Sequence, residues 1–377
     1  MKKFIALFPR VSNLSLLNIL DRNVLKKMVF VLLVTTSFVS LLYAQDKEAS
    51  SPLAISGSAD LYYKYDFSDF TTANGSSNIG TSFAKDQNSV SLGMLNVILK
   101  KSTGKLSFVG DVSFGPRGQY QSLPTGDVGN STNSFNIQNI YATYKFSNAF
   151  SMTAGYMGTF IGYEVISPVA DFNYSTSYLF TNGPFQNAGI KANFAISDKV
   201  GLMVGLFNDW NTYQDINGVS HLGAQLSVIP AEGWSAYLNV LTGRGAGGPA
   251  SYGSGTVLDL TTSYQITDRF NLGLNATDYS LPEDNGGYAG VALYPRFSLS
   301  SGFGLGARGE YFKFKDAHGV DGTSVLSFTL TGNIKAGPLT VIPEIRFDNN
   351  DASEFFDNNL AATKSASQFL IAAVFTF

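Results

Sequence analysis

The chain has 377 residues, of which 44% are hydrophobic and only 14% charged, and its mean hydropathy is +0.06. This composition is too apolar for a disordered chain and too evenly mixed for helical membrane spans. The net charge of -3 argues against a nucleic-acid partner, which requires a basic surface. The absence of cysteine excludes disulfide scaffolds, thiolate metal sites and cysteine nucleophiles. The 38 glycines, 19 tyrosines and 30 phenylalanines indicate a β-protein rich in turns and aromatic residues.

An uncharged apolar run occupies residues 28–43, directly after Lys26 and Lys27. The run is shorter than the roughly 20 residues that a membrane-spanning helix needs. It is followed by Ala44 and a polar segment, and this order of a basic flank, an apolar core and a small residue is typical of an export signal. We therefore expect residues 1–44 to be a leader cleaved after Ala44, and residues 45–377 to form a single folded unit.

From residue 45 onward the chain repeats one unit, an alternating segment of about ten residues followed by a connection. Short and long connections alternate. The short ones are residues 101–105, 146–150, 196–199, 229–234, 266–269, 300–302 and 335–338, and the long ones begin near Ser68, Pro116, Ile161, Asn208, Gly243, Ser280, Asp316 and Asp348. Because outer-membrane barrels have short periplasmic turns and longer extracellular loops, the pattern predicts an all-β fold: a transmembrane, antiparallel, up-and-down β-barrel. The count is about sixteen strands, with fourteen or eighteen as open alternatives.

Three positions interrupt the regular strand pattern. Residues 90–99 can be read in either phase, which predicts a bulge at Gly93. Pro295 and Pro343 lie inside otherwise regular strands, and each removes one hydrogen bond from the ladder. We expect bulges or strand ends at both prolines.

The two faces of the predicted strands differ in charge. One face carries no charge in the clearest strands, as contact with lipid requires, because a Lys or Arg at the bilayer midplane costs roughly 2–4 kcal/mol. The other face carries both signs. The predicted pore-lining residues are Asp60, Lys64, Asp111, Lys191, Arg296, Arg308, Glu310, Glu344 and Arg346. A barrel of this size leaves an aqueous channel, so we expect these groups to be hydrated and to set the field along a pore. For any one of them, the alternative is a charge that only satisfies the lumen wall.

The third long connection is unusually apolar for an exposed loop. It contains Val165, Ile166, Val169, Phe172, Leu179, Phe180 and Phe185. We hypothesise that part of it folds inward and narrows the pore, as a constriction loop. In this arrangement Glu164 and Asp171 oppose Arg296, Arg308 and Arg346 across the lumen. The alternative is an extracellular flap packed on the barrel rim.

The same region carries a family resemblance. The segments GTFIGYEVISP, NYSTSYLF and GPFQNAGIKANFAISDK, within residues 158–199, resemble the hallmark of the OmpL-like β-barrel porin family of Gram-negative bacteria. The strand pattern extends the resemblance over residues 45–377. The resemblance implies a pore in the outer membrane and leaves the solute unspecified.

The last strand ends on an aromatic carboxyl terminus. Phe369, Ile371, Ala373, Phe375 and Phe377 follow a two-residue period, so one face of this strand is apolar. A terminal Phe377 on such a strand resembles the signal that the barrel-assembly machinery recognises in its substrates. We therefore expect outer-membrane lipid, lipopolysaccharide and this machinery as partners, and a homotrimer is an open alternative to a monomer.

The sequence does not favour an enzyme. A membrane-embedded hydrolase needs a general base, usually His, and the chain has only His221 and His318. Ser220 and His221 are neighbours at the start of a predicted strand and should point apart, which makes them poor partners in a catalytic triad. No catalytic, metal or cofactor site is predicted.

The pattern as a whole predicts an outer-membrane porin that allows passive diffusion of small hydrophilic solutes through a water-filled barrel. The alternative is a barrel-anchored surface interaction protein, an adhesin or antigen, with little or no conductance. The long connections are modest and rich in Gly, Asn and Ser, which favours the porin.

Overall fold

A computed structural model describes residues 50–117 and 135–377, and the predicted leader lies outside these residues. Sixteen long strands of the described chain close into one antiparallel barrel. In chain order they are β1 (Ala54–Asp66), β2 (Ser89–Thr103), β3 (Leu106–Phe114), β4 (Phe135–Lys145), β5 (Phe150–Gly158), β6 (Gln186–Ser197), β7 (Val200–Phe207), β8 (His221–Ala231), β9 (Trp234–Gly243), β10 (Gly255–Thr267), β11 (Phe270–Ser280), β12 (Gly287–Ser298), β13 (Phe303–Phe314), β14 (Ser324–Ala336), β15 (Leu339–Asn350) and β18 (Ser365–Thr376). The predicted fold and strand number are confirmed.

Two smaller features complete the described part of the chain. The short strands β16 (Phe355–Phe356) and β17 (Ala362–Thr363) pair between β15 and β18, and the helix α1 (Tyr178–Asn182) lies between β5 and β6. Among residues 50–117 and 135–377, no helix has the length and apolarity needed to cross a bilayer.

The barrel closes where the first and last long strands meet. β1 pairs with β18 in a continuous register that runs from Ser58 opposite Thr376 to Asp66 opposite Gln368. Closure matters because a backbone group left without a partner in hydrocarbon costs several kcal/mol, and a closed sheet has no unpaired edge.

Short turns and long loops alternate around the barrel, as the sequence predicts. The turns are residues 104–105, 146–149, 198–199, 232–233, 268–269, 299–302 and 337–338. The long connections, named L1 to L8 in chain order, are residues 67–88, 115–134, 159–185, 208–220, 244–254, 281–286, 315–323 and 351–364, and of L2 the structure describes residues 115–117. All turns therefore lie at one end of the barrel, and all long loops begin at the other.

The strand faces separate as expected for a barrel in lipid. Outward-pointing Ile55, Val90 and Leu258 are 63%, 75% and 53% exposed, whereas inward-pointing Lys64 and Arg308 are fully buried. The outer face is thus largely apolar, and lipid replaces water there as the solvent. The inner face carries Lys64 and Arg308 together with buried apolar side chains such as Leu241 and Leu370.

The predicted bulge at Gly93 is confirmed. Between β1 and β2 the register shifts from Ala59 opposite Leu95 to Leu61 opposite Leu92, so Gly93 and Met94 together face Asp60. The extra residue inverts the alternation of β2, which explains why its sequence can be read in either phase.

The expectation at the two prolines is wrong. Pro295 pairs with Leu272 of β11 and Pro343 pairs with Ile371 of β18, both within continuous ladders. On its other side each proline interrupts the ladder, but the register is the same before and after the gap. A proline lacks only one backbone donor, so a strand can keep its course when the missing bond falls on one side.

Gly93→Ala should destabilise the barrel by about 2 kcal/mol, because a side chain there meets an anchored carboxylate. A Cβ atom at this position would lie 1.7 Å from Oδ2 of Asp60, and the Asp60 carboxylate cannot retreat without losing its 3.0 Å bond from the Met94 N–H. The measurement is the urea midpoint of unfolding. Gly309→Ala is the matched control, since its Cβ would meet no atom within 4 Å. Equal midpoints for the two variants would contradict this account of the bulge.

Candidate functional site

L3 enters the barrel and crosses its lumen. The Gly162 N–H donates to Oδ2 of Asp259 on β10 at 3.0 Å, and the Tyr174 hydroxyl donates to Asp60 on β1. β10 and β1 lie nearly half of the barrel circumference apart. A loop bonded to the inner faces of both strands must therefore span the lumen between them.

Glycines on the wall receive the aromatic side chains of L3. A Cβ atom at Gly273 would come within 2.2 Å of Tyr163, and one at Gly306 within 2.5 Å of Phe172. Tyr163 also stacks on Tyr294 of β12, with ring centroids 4.4 Å apart. The absence of side chains at these two wall positions therefore lets the rings of L3 lie directly against the sheet.

A buried ion pair ties L3 to the wall. Nη1 of Arg308 on β13 lies 2.7 Å from Oε1 of Glu164, and both side chains are almost fully buried. The second oxygen of Glu164 accepts bonds from the Ser177 N–H at 2.7 Å and the Ser177 hydroxyl at 2.8 Å. Arg308 also donates to the carbonyl oxygens of Ser175 at 2.6 Å and Thr176 at 3.2 Å. The charges of L3 and wall are therefore in direct contact here, and do not face each other across open water.

Asp171, the second acidic residue predicted in this loop, has a local role. Its carboxylate accepts the Val165 N–H at 3.1 Å, which closes a turn within L3. Desolvation and then the neighbouring Glu164 carboxylate raise the pKa of Asp171 well above its usual value. Asp171 and Arg296 line the same small cavity, and Arg296 donates to the Tyr163 hydroxyl.

Two wall carboxylates receive the backbone of L3. Glu310 accepts the Tyr178 and Leu179 N–H groups at 2.9 and 2.8 Å, in the first turn of α1. Glu344 accepts the Tyr174 N–H at 3.0 Å. Buried carboxylates need such donors, since an unpartnered charge in a dry site is costly. The inner faces of β13 and β15 thus provide carboxylates that accept hydrogen bonds from the backbone N–H groups of L3.

L1 closes over L3 from the loop end of the barrel. The Ser82 N–H donates to the Thr181 hydroxyl at 2.8 Å, and the Thr176 hydroxyl donates to the Ser82 carbonyl at 2.6 Å. Arg346 of β15 bonds both loops, through the Thr81 hydroxyl at 3.1 Å and the Thr176 carbonyl at 2.8 Å. L1 and L3 therefore form one packed unit inside the barrel.

All nine residues predicted to line the pore lie on the inner face of the barrel, but the expectation that they are hydrated is wrong for most of them. Lys191 and Arg296 are half-buried. The other seven are buried: Asp60, Lys64, Asp111, Arg308, Glu310, Glu344 and Arg346. Except for Lys64 and Asp111, these buried side chains hydrogen-bond L1 or L3 directly. For these five residues, loop groups occupy the positions that water was expected to take, which sequence alternation alone does not reveal.

Ser220 and His221 also differ from the prediction, since their side chains meet. The Ser220 hydroxyl lies 2.7 Å from Nδ1 of His221, and it donates to Asp209 at 2.7 Å. Ser220 precedes the first residue of β8, so the alternation of a strand does not apply to it. The Asp209 carboxylate accepts a hydrogen bond from Ser220 and lies 3.6 Å from Nδ1 of His221. In a hydrolase triad the carboxylate instead bonds the histidine, and the histidine bonds the serine.

Sequence reasoning missed several residues that hold the loop. Asn173 bonds Thr331 of β14 at 2.6 Å, and Asn333 donates to the Phe172 carbonyl at 2.9 Å. The only signal available was the pair of polar residues two positions apart on an inward face of β14. That signal indicates a polar lumen and does not identify the partner.

Comparisons with known proteins give the family. Residues 52–377 match the family described as "Putative beta-barrel porin-2, OmpL-like". A search of curated protein sequences finds no match.

Solved structures share the fold at low identity. The outer membrane channel DcaP of Acinetobacter baumannii has a TM-score of 0.58 at 13% identity, covering 88% of this chain and 99% of that one. OmpT of Vibrio cholerae, in a trimer form, has a TM-score of 0.55 at 13% identity, covering 88% of this chain and 100% of that one. An anion-selective porin from Comamonas acidovorans has a TM-score of 0.57 at 12% identity, covering 87% of this chain and 100% of that one. With the family match spanning the whole barrel, the chain belongs to the OmpL-like β-barrel porins and is a passive-diffusion porin of the Gram-negative outer membrane.

Proposed function

We propose that L3 is the constriction of this porin and that the nine inner-face residues named above build the wall around it. Five of them hydrogen-bond L3 and hold it: Asp60, Arg308, Glu310, Glu344 and Arg346. The half-buried Lys191 and Arg296 line the path beside it, and Lys64 and Asp111 complete the charged wall. The observation that supports this most directly is the buried contact between Glu164 of L3 and Arg308 of β13 at 2.7 Å. A loop held to the wall by a desolvated ion pair keeps one position, and a fixed position gives a pore a defined radius.

The open space next to L3 supports the same role. A cavity of about 850 Å³ lies between residues 168–172 of L3 and the turn end of the barrel. It reaches the turns at Arg269, Ser301 and Pro338. Solute entering from the turn end would therefore meet L3 before it could reach the loop end.

Cysteine labelling tests the constriction. The chain has no native cysteine, so a single introduced thiol is the only reactive one. Val169 of L3 is 51% exposed and borders the large cavity. A thiol reagent that carries a trimethylammonium group should lower the single-channel conductance of Val169→Cys, because the added bulk occupies the path.

Val320→Cys is the matched control, since Val320 is 69% exposed in L7. The same reagent should label it fully and leave its conductance unchanged. Complete labelling of Val169→Cys, verified by mass, without a change in conductance would refute a constriction by L3.

The remaining proposals concern processing, assembly and chemistry. We infer a leader cleaved after Ala44, recognition by the assembly machinery through Phe377, association into homotrimers and no catalytic activity. The trimer form of the fold neighbour OmpT supports the third of these. N-terminal sequencing of the outer-membrane protein tests the cleavage after Ala44. The mass of the protein in detergent tests the homotrimer. Loss of assembly in a variant without Phe377 tests recognition by the assembly machinery. The contacts of Ser220 and His221 support the absence of catalytic activity.

A further inference from the structure

A second cavity lies on the inner wall beside the base of L3. It measures about 300 Å³, and its lining includes Phe160, Tyr163, Gln225, Ser235, Tyr237 and Thr261. None of its lining residues carries a charge. This sets it apart from the wall of β13 and β15, where the acidic and basic residues bind L3.

The register of three strands brings the wall residues together. Thr261 of β10 lies opposite Tyr237 of β9, and Tyr237 lies opposite Ser227 of β8. Two positions further along β9, Asn239 donates to the Asp259 carboxylate, which also binds L3. The alternation of the strand therefore puts Tyr237 on the same inner face.

Several polar groups of this cavity have hydrogen-bonding capacity to spare. Within residues 50–117 and 135–377, the side-chain hydroxyls of Ser235, Tyr237 and Thr261 make no hydrogen bond, and Tyr237 is 38% exposed. Gln225 donates to Asn239 at 2.8 Å, which leaves its amide oxygen to accept. These groups can both donate to and accept from a ligand that carries many hydroxyls.

The Asp259 carboxylate, which accepts a bond from the lining residue Gly162, is already surrounded by protein donors. Asp259 is 1% exposed and accepts bonds from Gly162 at 3.0 Å, Asn239 at 2.8 Å, and Asn275 and Thr277 at 2.6 Å each. The lining groups themselves offer a charged solute no ionic partner in exchange for its hydration, whereas a neutral polar solute would exchange water for hydroxyl and amide partners.

We infer that this cavity binds an uncharged polyhydroxylated solute of the size of a mono- or disaccharide during passage, an assignment that rests on the proposed role of the lumen and L3. Its volume is at the lower end of the roughly 300–1,000 Å³ typical of small-molecule sites. The hydroxyl and amide groups meet the solute's hydroxyls. The rings of Phe160, Tyr163 and Tyr237 meet the apolar faces of its sugar rings.

The test uses maltose and gluconate as probes on channels in planar bilayers. Maltose should reduce the ion current saturably, and gluconate should not. Tyr237→Ala should raise the half-blocking maltose concentration by about tenfold, because it removes both a ring face and a hydroxyl. Gln225→Ala should shift it in the same direction. Tyr141→Ala is the matched control, since Tyr141 lies on β4, opposite Gly155 of β5 and outside the cavity.

The outcomes separate the inference from the proposal beneath it. Conducting channels that maltose and gluconate affect equally, or an unchanged half-blocking concentration in both cavity variants, would overturn the sugar site and leave the porin and its constriction standing. If the bilayers stay silent, the proposed conduction fails. Equilibrium dialysis of the folded barrel against radiolabelled maltose, in a detergent without a sugar headgroup, then tests the site without conduction. Binding that Tyr237→Ala weakens supports the site, and no binding overturns it. Tyr237→Phe serves if Tyr237→Ala does not fold.

Discussion

Removing residues 168–177 is expected to raise the single-channel conductance severalfold. This segment is part of the loop that crosses the lumen, and its anchors include the Tyr174 contact with Asp60 and the Asn173 contact with Thr331. Without it, the wall charges that it covers become accessible to water and ions. A wider, charged path conducts more and selects less. The measurement is conductance in planar bilayers with a salt gradient across the membrane.

Two controls make this result interpretable. Replacing residues 168–177 by ten Gly and Ser residues keeps the length of the loop and removes its side-chain anchors. Because the loop is then no longer held to the wall, the conductance of this variant should fluctuate between low and high values. Heat-dependent mobility on gels establishes that each variant contains a folded barrel. A correctly folded deletion variant with the conductance of the parent would show that L3 does not limit the pore.

Arg308→Met should lower the free energy of unfolding by about 3–5 kcal/mol, the range for breaking a buried pair and leaving one charge behind. The variant leaves Glu164 buried with only the two bonds from Ser177. It also removes the donors to the carbonyl oxygens of Ser175 and Thr176. Urea unfolding of the folded barrel in lipid measures the loss.

A double-mutant cycle identifies the cause. Glu164→Gln combined with Arg308→Met should recover part of the loss, because no uncompensated charge remains. Lys313→Met is the matched control on the same strand. Its partner Asp316 lies 3.3 Å away and both side chains are largely exposed, so the loss there should be below about 1 kcal/mol. Strictly additive effects of the Glu164 and Arg308 substitutions would mean that the pair is not coupled.

The barrel itself was predictable because its rules act over short distances in sequence. A two-residue period, Gly- and Asp-containing turns and an uncharged outer face follow from lipid on one side and closure of the sheet. The bulge at Gly93 was visible as a change of phase. Pro295 and Pro343 were misjudged, since a sequence does not reveal on which side of a strand a missing donor falls.

The interior was less predictable, for a different reason. The charges of β13 and β15 were assigned to the correct face, but their burial depends on a loop located more than a hundred residues earlier in the chain. The apolar residues of L3 hinted that it folds inward. Nothing in the local pattern indicates that aromatic rings of L3 pack against Gly273 and Gly306, since a glycine in a strand is equally typical of a bend or a bulge.

The anchoring of L3 also has a consequence for the order of assembly. Its backbone N–H groups hydrogen-bond two wall carboxylates. Tyr178 and Glu310 are 132 residues apart in the chain, and Tyr174 and Glu344 are 170 residues apart. Contacts of such long range form late, and here they require β13 and β15 to be in place. The nascent barrel should therefore pass through a wide, leaky form before its interior loop settles. Time-resolved dye leakage from vesicles during refolding, rising and then falling, would record that stage.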